Sequence, residues 1–289
     1  MNIQSFFGAT AERPLDISLA SNKELAERIV SHSLSQTPTP LEVAIPSAIH
    51  FVWLGPNDMT NDMTACVQSW KEKHPGWEIC IWRDEDIAQQ NWINQEALNY
   101  AMRCGRYGMA SDIVRLEILW RRGGFYVDID YICLADVNEL ASCCGFICGA
   151  SNTGCVEINN GIIGSRPQYP LLRSMVEKIQ SWFHKVYQPV QHMSAYLDPA
   201  SRQHLEMATS PSKMDIILNT GPGLITSSVG EVLYSGSGCN ADLLVLPYHV
   251  FHPIPNLARH ELRLDDPSWI QKYTHTGTKA AHLWMCSWT

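Results

Sequence analysis

The residues best suited to chemistry in this sequence are aspartates two positions apart. Asp128-Ile129-Asp130 closes a run of Phe125, Tyr126 and Val127. An unpaired carboxylate at the end of such a run is costly if the strand is central. Spacing of two in a strand places both side chains on one side, and two hard oxygen donors there suit Mg²⁺ or Mn²⁺. A cation held at that point can neutralise the charge that builds on a diphosphate leaving group. The competing reading is a turn cap or a surface pair. Spacing alone does not decide, because Asp84-Glu85-Asp86 shares it. That copy follows Glu78–Trp82 and would open a helix, where acids favour the positive end of the dipole. It reads as a solvated helix start.

Asp112 and Arg115 stand at i and i+3, so on a helix they project from one side. They form either a surface ion pair, worth under ~1 kcal/mol, or a ligand pair. In the second case Asp112 accepts a sugar hydroxyl and Arg115 donates to sugar or phosphate. Asn160 is either a sugar or acceptor contact or a turn residue. Other candidates fall away. Ser210-Pro211-Ser212-Lys213 sits in a proline-broken polar stretch, a poor base for a nucleophile. His249-Val250-Phe251-His252 lies beside Pro247, Pro253 and Pro255 and reads as a rigid loop. The 10 cysteines form no Cys-x-x-Cys, so they read as reduced small hydrophobes instead of a zinc site.

Periodicity supplies the elements that must position these residues. Ala48–Leu54 reads as a strand stopped by Gly55-Pro56. Met63, Val67 and Trp70 recur at helical spacing over Asn61–His74, and Pro75-Gly76 ends that helix. Glu78–Trp82 is the next strand, and this order favours a parallel α/β unit with a right-handed crossover. Further helices are predicted at Gln95–Arg103 and Tyr107–Arg121, the latter stopped by Gly123-Gly124 before Phe125–Asp130 resumes extended structure. Leu171–Val186 is a helix, Gln188–Met214 a polar stretch, and Gly221–Gly238 a glycine-rich passage. Near the start, Ser21–Val30 reads as a short helix capped by Ser21, with Glu24 behind it. Thr37-Pro38-Thr39-Pro40 then breaks regular structure. Residues 1–42 are therefore expected to be a peripheral helical segment, and 43–289 one α/β domain with a loop-rich C-terminal half.

Bulk properties narrow the partners. The formal net charge is −8 and no block of Lys or Arg stands out, which argues against nucleic acid or an acidic lipid surface. No stretch approaches the ~20 apolar residues of a membrane span. Met1–Ala20 lacks a basic start followed by an apolar run, and no Asn-x-Ser/Thr site occurs. The expected compartment is the cytoplasm.

Ala110-Ser111-Asp112-Ile113-Val114-Arg115, followed by Leu119, Gly123-Gly124, Tyr126 and Asp128-Ile129-Asp130, resembles the Ser-Asp-x-x-Arg … Gly-Gly-x-Tyr-x-Asp-x-Asp block of family 32 glycosyltransferases. This is the Och-type mannosyltransferase and capsular sugar-transferase group, and the clostridial glucosylating toxins share the block. Ile45-Pro46 with Ile49–Gly55 looks like that family's opening strand. Ser69-Trp70-Lys71, His74–Trp77 and Trp82 look like its next helix and strand. Asn160–Ile163 with Pro167, Thr220–Gly223 and His282–Trp288 resemble its later motifs. The likeness runs from about Ile45 onward, and several motifs in order are more specific than any one.

The resemblance implies a GT-A fold: a single Rossmann-like nucleotide-sugar-binding domain with a mixed, mainly parallel central sheet. It implies retaining, metal-dependent transfer of a hexose or N-acetylhexosamine from a nucleotide sugar, a UDP-sugar favoured, to an acceptor hydroxyl, with Mn²⁺ or Mg²⁺. Trp53 would stack on the base and Val52 would hold it through its backbone. Asp112 and Arg115 would grip the donor sugar, Tyr126 would belong to the donor site, and Asp128 would contact ribose or sugar. Asp130 would ligate the metal, with His282 or Ser287 completing its shell and Trp288 packing over the diphosphate. The family often carries a second histidine where this chain has Leu283, so the choice between His282 and Ser287 stays open. The acceptor is a glycan, a small molecule or a protein, and the last case would make the chain a toxin delivered into a host cell. A catalytically silent nucleotide-sugar binder should show erosion of Asp112, Arg115, Asp128 or Asp130, and all four are present.

Overall fold

The computed structural model describes residues 1–10, 12–36, 43–236 and 241–285. Its strands are β1 (Ala48–Val52), β2 (Glu78–Trp82), β3 (Gly124–Val127), β4 (Tyr131–Cys133), β5 (Phe146–Ala150), β6 (Ile158–Ser165), β7 (Leu243–Leu246) and β8 (Ala280–His282). The helices begin with α1 (Ile3–Phe6), α2 (Ala20–Ser35), α3 (Asn61–Lys73), α4 (Asp84–Ala88), α5 (Gln95–Arg103), α6 (Tyr107–Arg122) and α7 (Asn138–Cys143). They continue with α8 (Pro170–Val186), α9 (Gln188–Ser194), α10 (Pro199–Ala208), α11 (Lys213–Asn219), α12 (Pro222–Ser235), α13 (Tyr248–Phe251) and α14 (Ser268–Tyr273), and a 3-10 helix covers Asn256–Glu261.

Six strands form one sheet in the order β2-β1-β3-β6-β5-β7. The pairs β1/β2, β1/β3 and β5/β7 are parallel, while β3/β6 and β5/β6 are antiparallel. This is the mixed, mainly parallel α/β sheet expected. β4 and β8 pair separately, with Tyr131 opposite His282.

Alternation along β3 sorts its side chains between two buried layers. Phe125 and Val127 join Trp70 of α3 on one face, whereas Tyr126 joins the layer built with α5, α6 and α8 on the other. Every residue of α6 from Met109 to Leu119 is buried, which places this helix inside the molecule and not on its surface. The double glycine lets the chain leave α6 and enter β3. Gly123 donates to Leu119 O at 2.8 Å, and Gly124 has φ +93° with space for no side chain, since a Cβ would sit 2.7 Å from Ala48 O.

The N-terminal helix begins earlier and ends later than expected. α2 has Leu19 at its N-cap with no side-chain bond, so Ser21 lies inside the helix and does not cap it. The described residues before β1 include helices α1 and α2, which pack beside the sheet's β7 edge and share its core. Phe6, Phe7, Ala26 and Ile29 are buried in the layer that includes α8 and α12. His32 Nε2 lies 2.9 Å from Leu243 O on β7, which satisfies an otherwise open edge.

The C-terminal half departs from the loop-rich expectation. Gln188–Ser235 is mostly helical, as α9 to α12. Polar composition hid α10 and α11 because they are set by their ends. Asp198 and Ser212 cap α10 and α11 through their side chains, and prolines open α10 and α12. Asp84-Glu85-Asp86 does lie in the first turn of α4. Among the described residues no helix is long and apolar enough to cross a membrane.

Candidate active site

Arg115 is the centre of the site. α6 carries it with Ser111 and Asp112 to the C-terminal end of β3, where open α/β sheets place their ligands. Its Nη2 lies 2.9 Å from Asp112 Oδ1 and 3.1 Å from Asp128 Oδ1. Nη1 donates to Asn160 O at 2.7 Å, and Nε donates to Ser111 O at 3.4 Å. The guanidinium also covers the Tyr126 ring, 4.3 Å from its centroid. At 1% exposure Arg115 is no surface cation, so the surface ion pair reading of Asp112 and Arg115 is replaced by a buried, multiply bonded one. One Nη1 hydrogen is left without a protein acceptor among the described residues.

Both carboxylates are fixed from several sides. Asp112 Oδ1 accepts from Asn160 Nδ2 at 2.8 Å and Oδ2 accepts from Thr220 Oγ1 at 3.1 Å. Tyr126 donates to Asp128 Oδ1 at 2.6 Å, as their shared side of the chain requires. Burial pushes the Asp112 carboxyl above its usual range despite Arg115. Burial, reinforced by nearby Asp130, pushes Asp128 up to about 6 against the pull of Arg115. Tyr126 is likewise held well up by burial.

The two aspartates of Asp128-Ile129-Asp130 do not share one strand face. β3 ends at Val127, and Tyr131 N bonds Asp128 O at 3.2 Å in a turn. Asp128 therefore faces Arg115, while Asp130 turns to the C-terminal segment. Asp130 Oδ2 lies 3.2 Å from His282 Nε2 and accepts from Met285 N at 3.0 Å. Burial alone would raise Asp130, but His282 and these hydrogen bonds outweigh it and hold the carboxyl below the usual range. Asp130 Oδ1 and His282 Nδ1 are buried with no hydrogen-bond partner among the described residues.

That pair of orphaned atoms bears on the metal. Three buried carboxylates, Asp112, Asp128 and Asp130, have one buried guanidinium among them, which reaches only the first two, so the cluster has a shortage of positive charge. Asp130 offers a hard oxygen of the type that suits a divalent cation, and His282 turns Nε2 toward the same carboxylate, so a cation there would draw its remaining positions from water and phosphate oxygens. Among the described residues no three His, Cys, Asp or Glu side chains gather into a complete ligand set. Ser287, the other expected ligand, and Trp288 lie outside the described residues.

A cavity of about 380 Å³ opens on Asp112, Arg115, Asp128 and Asn160, walled by Lys213, Ile216 and Pro222. Val52 and Trp53 sit apart, on a smaller cavity of about 30 Å³ shared with Ser111 and Tyr107. Trp53 is packed among Phe51, Met63 and Val127, and its indole donates to Asn57 O at 2.7 Å. Its ring is a buried wall, not an open platform. Three contributors went unassigned in the sequence: Ser111, Thr220 and Lys213. Ser111 and Thr220 stand within recognised motifs, but their partners are set by tertiary contact. Lys213 was masked by its polar surroundings.

Residues 60–144 match the family described as the glycosyltransferase sugar-binding region containing a DXD motif. That stretch is a glycosyltransferase-type sugar-binding region. Over 147 residues it is 33% identical to "Subversion of eukaryotic traffic protein A" of Legionella pneumophila, covering 40% of this chain and 23% of that protein. Over 151 residues it is 25% identical to inositol phosphoceramide mannosyltransferase 1 of Schizosaccharomyces pombe, covering 50% of this chain and 45% of that protein. The chain thus spans less than half the length of either relative. The chain also superposes on the solved PaToxG glycosyltransferase with a TM-score of 0.51 at 15% identity, over 76% of this chain and 79% of that one. That likeness shows the GT-A fold.

Proposed function

We propose that this glycosyltransferase domain transfers a hexose or N-acetylhexosamine from a nucleotide sugar, a UDP-sugar favoured, to an acceptor hydroxyl with retention at the anomeric carbon. The observation that carries this reading is the buried Arg115 cluster with Asp112, Asp128 and Asn160 opening onto a cavity, with an orphaned carboxylate oxygen two residues on at Asp130. Asp112 and Asn160 orient the donor sugar through their cavity-facing polar atoms. Arg115 fixes both carboxylates and turns its remaining Nη1–H toward the donor. Asp130, with His282, would hold Mn²⁺ or Mg²⁺, which when bound would supply charge neutralisation for the diphosphate. Val52 and Trp53 mark the base end of the donor, reached by widening the small cavity beside Tyr107. Asp128 is tied to Tyr126 and Arg115 and is not assigned a nucleophile's role. Instead the acceptor oxygen bonds to the anomeric carbon on the face the diphosphate leaves. The bond to the diphosphate oxygen breaks, and that oxygen takes the hydroxyl proton.

A second reading, transfer to a host protein after delivery into a eukaryotic cell, is favoured by the identity to the Legionella protein. It differs in acceptor and location, not in the donor site; under the first reading the chain works in the cytoplasm. A thermal-shift panel of UDP- and GDP-sugars with and without Mn²⁺ tests the donor site. One donor should raise the melting temperature with Mn²⁺ and do so weakly without it. If no nucleotide sugar shifts it, the proposal fails.

A further inference from the structure

Among the described residues, Trp284 and Gln168 are the two other than glycine whose backbone is left-handed. For a bulky side chain that conformation is strained, and it persists only where the surroundings enforce it. Trp284 has φ +53° and stands just beyond β8. Glycine would make the same turn with less strain, so the indole must contribute something glycine cannot. Core filling is not a sufficient account. Trp284 is only half-buried and, with Met285, lines a second cavity of about 560 Å³ that shares Lys213 with the donor cavity.

Both the turn and the ring bear on Asp130. Before the turn, Leu283 N donates to Asp130 O at 2.9 Å; after it, Met285 N donates to Asp130 Oδ2 at 3.0 Å. A left-handed residue curls the backbone so that neighbouring N–H groups converge on one acceptor residue. An extended Trp284 would carry the Met285 amide away from the carboxylate. The indole ring lies 4.0 Å from the His282 ring at 33°, and Tyr131 stacks on the same imidazole at 4.3 Å and 10°. Two rings this close to one imidazole must take opposite faces. His282 is therefore clamped, with Nε2 3.2 Å from Asp130 Oδ2. The clamp is itself anchored, because Trp284 Nε1 donates to Ile254 O at 3.0 Å and Trp70 Nε1 donates to Tyr131 O at 2.9 Å. Asp130 Oδ2 is thus engaged twice, while Oδ1 has no partner among the described residues.

We propose that Trp284 is a positioning residue for the cation site: its turn and its ring lock Asp130 through Oδ2 and leave Oδ1 for the cation. This rests on the reading of Asp130 as a metal ligand. Trp284 acts through His282 and the Met285 amide, and side chains that fix a ligand's orientation in this way govern metal affinity.

The test is Mn²⁺ titration of the full chain without nucleotide sugar, with the free ion followed by electron paramagnetic resonance. Trp284→Gly keeps the turn and removes the ring, and should bind Mn²⁺ at least about tenfold more weakly than wild type. Trp284→Phe keeps a ring over His282 and should bind within about threefold of wild type. Trp284→Ala removes the ring and strains the turn, so it should bind most weakly. A merely structural tryptophan would lower the melting temperature in all three without ranking their Mn²⁺ affinities in this order. The proposal is overturned if folded Trp284→Gly binds within about twofold of wild type, or if Trp284→Phe loses as much as Trp284→Gly. Should the glycine variant fail to fold, equal affinities in the phenylalanine and alanine variants overturn it. Either result leaves the metal reading standing so long as Asp130→Ala loses Mn²⁺. If wild type takes up no Mn²⁺, or Asp130→Ala takes it up equally well, that reading falls and this proposal with it.

Discussion

Arg115 on α6 and Asp128 at the end of β3 meet at 3.1 Å, with both side chains buried. This contact ties the helix to the strand where the site opens. The same guanidinium holds Asp112 at 2.9 Å, so one cation serves two carboxylates. Replacing Arg115 with alanine strands both, and losing one partner of a buried pair costs about 3–5 kcal/mol. Arg115→Lys keeps the charge but cannot reach Asn160 O, Ser111 O and both aspartates at once. Urea unfolding should place the lysine variant between wild type and alanine, and nucleotide-sugar binding should be lost in both. Wild-type stability in Arg115→Ala would refute this placement.

Thr220 donates to Asp112 Oδ2 at 3.1 Å from the turn before α12. Thr220→Val keeps the shape and removes the donor, leaving a buried carboxylate oxygen short of a partner at about 1–3 kcal/mol. Steady-state donor hydrolysis should show a higher KM for the nucleotide sugar, with kcat changed less. An unchanged KM would mean that Asp112 does not touch the donor.

His50 gives a pH dependence of stability. Burial, with Arg122 nearby, pushes its imidazole down to about 4, even though Gly123 O accepts from its Nε2 at 3.0 Å. Trp82 Nε1 donates toward Nδ1 at 3.4 Å, which assigns the neutral Nε2–H tautomer. The folded-state pKa lies below the unfolded value of about 6.5, so the unfolded chain takes up the proton first as pH falls. The contribution is complete above about pH 6.5 and is lost between there and about pH 4, about 3 kcal/mol in all. Urea unfolding across that window should fall more steeply for wild type than for His50→Gln. Equal slopes would contradict the burial argument.

Gly124→Ala should destabilise by about 2 kcal/mol or more, because φ is +93° and the added Cβ would meet the Ala48 carbonyl at 2.7 Å. The effect is read as a lower melting temperature. A neutral substitution would mean that β1 and β3 do not approach as closely as they do here.

Much of this frame was legible in the residues. Periodicity fixed β2 and α5 at their observed bounds and α3 and α6 to within one residue, since these elements have strong apolar patterns. Asp112 and Arg115 in isolation read as well as a surface pair, because charge on a helix normally faces water. α6 is the exception, being buried on every side. The divergence of Asp128 and Asp130 was not legible, since it depends on where β3 stops and on His282, far along the chain. Helices α10 and α11 were hidden because their side-chain caps, more than an apolar stripe, define them. Lys213 gained meaning only once α11 set it between two cavities.

The central claim, a donor site built on Asp130 beside the Arg115 cluster, is tested most directly by nucleotide release. Wild type and Asp130→Ala are incubated with UDP- and GDP-sugars, with Mn²⁺ and with chelator. The account predicts release by wild type from one donor, dependent on the cation, and a fall of about 100-fold or more in the variant. Full activity in Asp130→Ala, or no release by wild type from any of these donors, would contradict it.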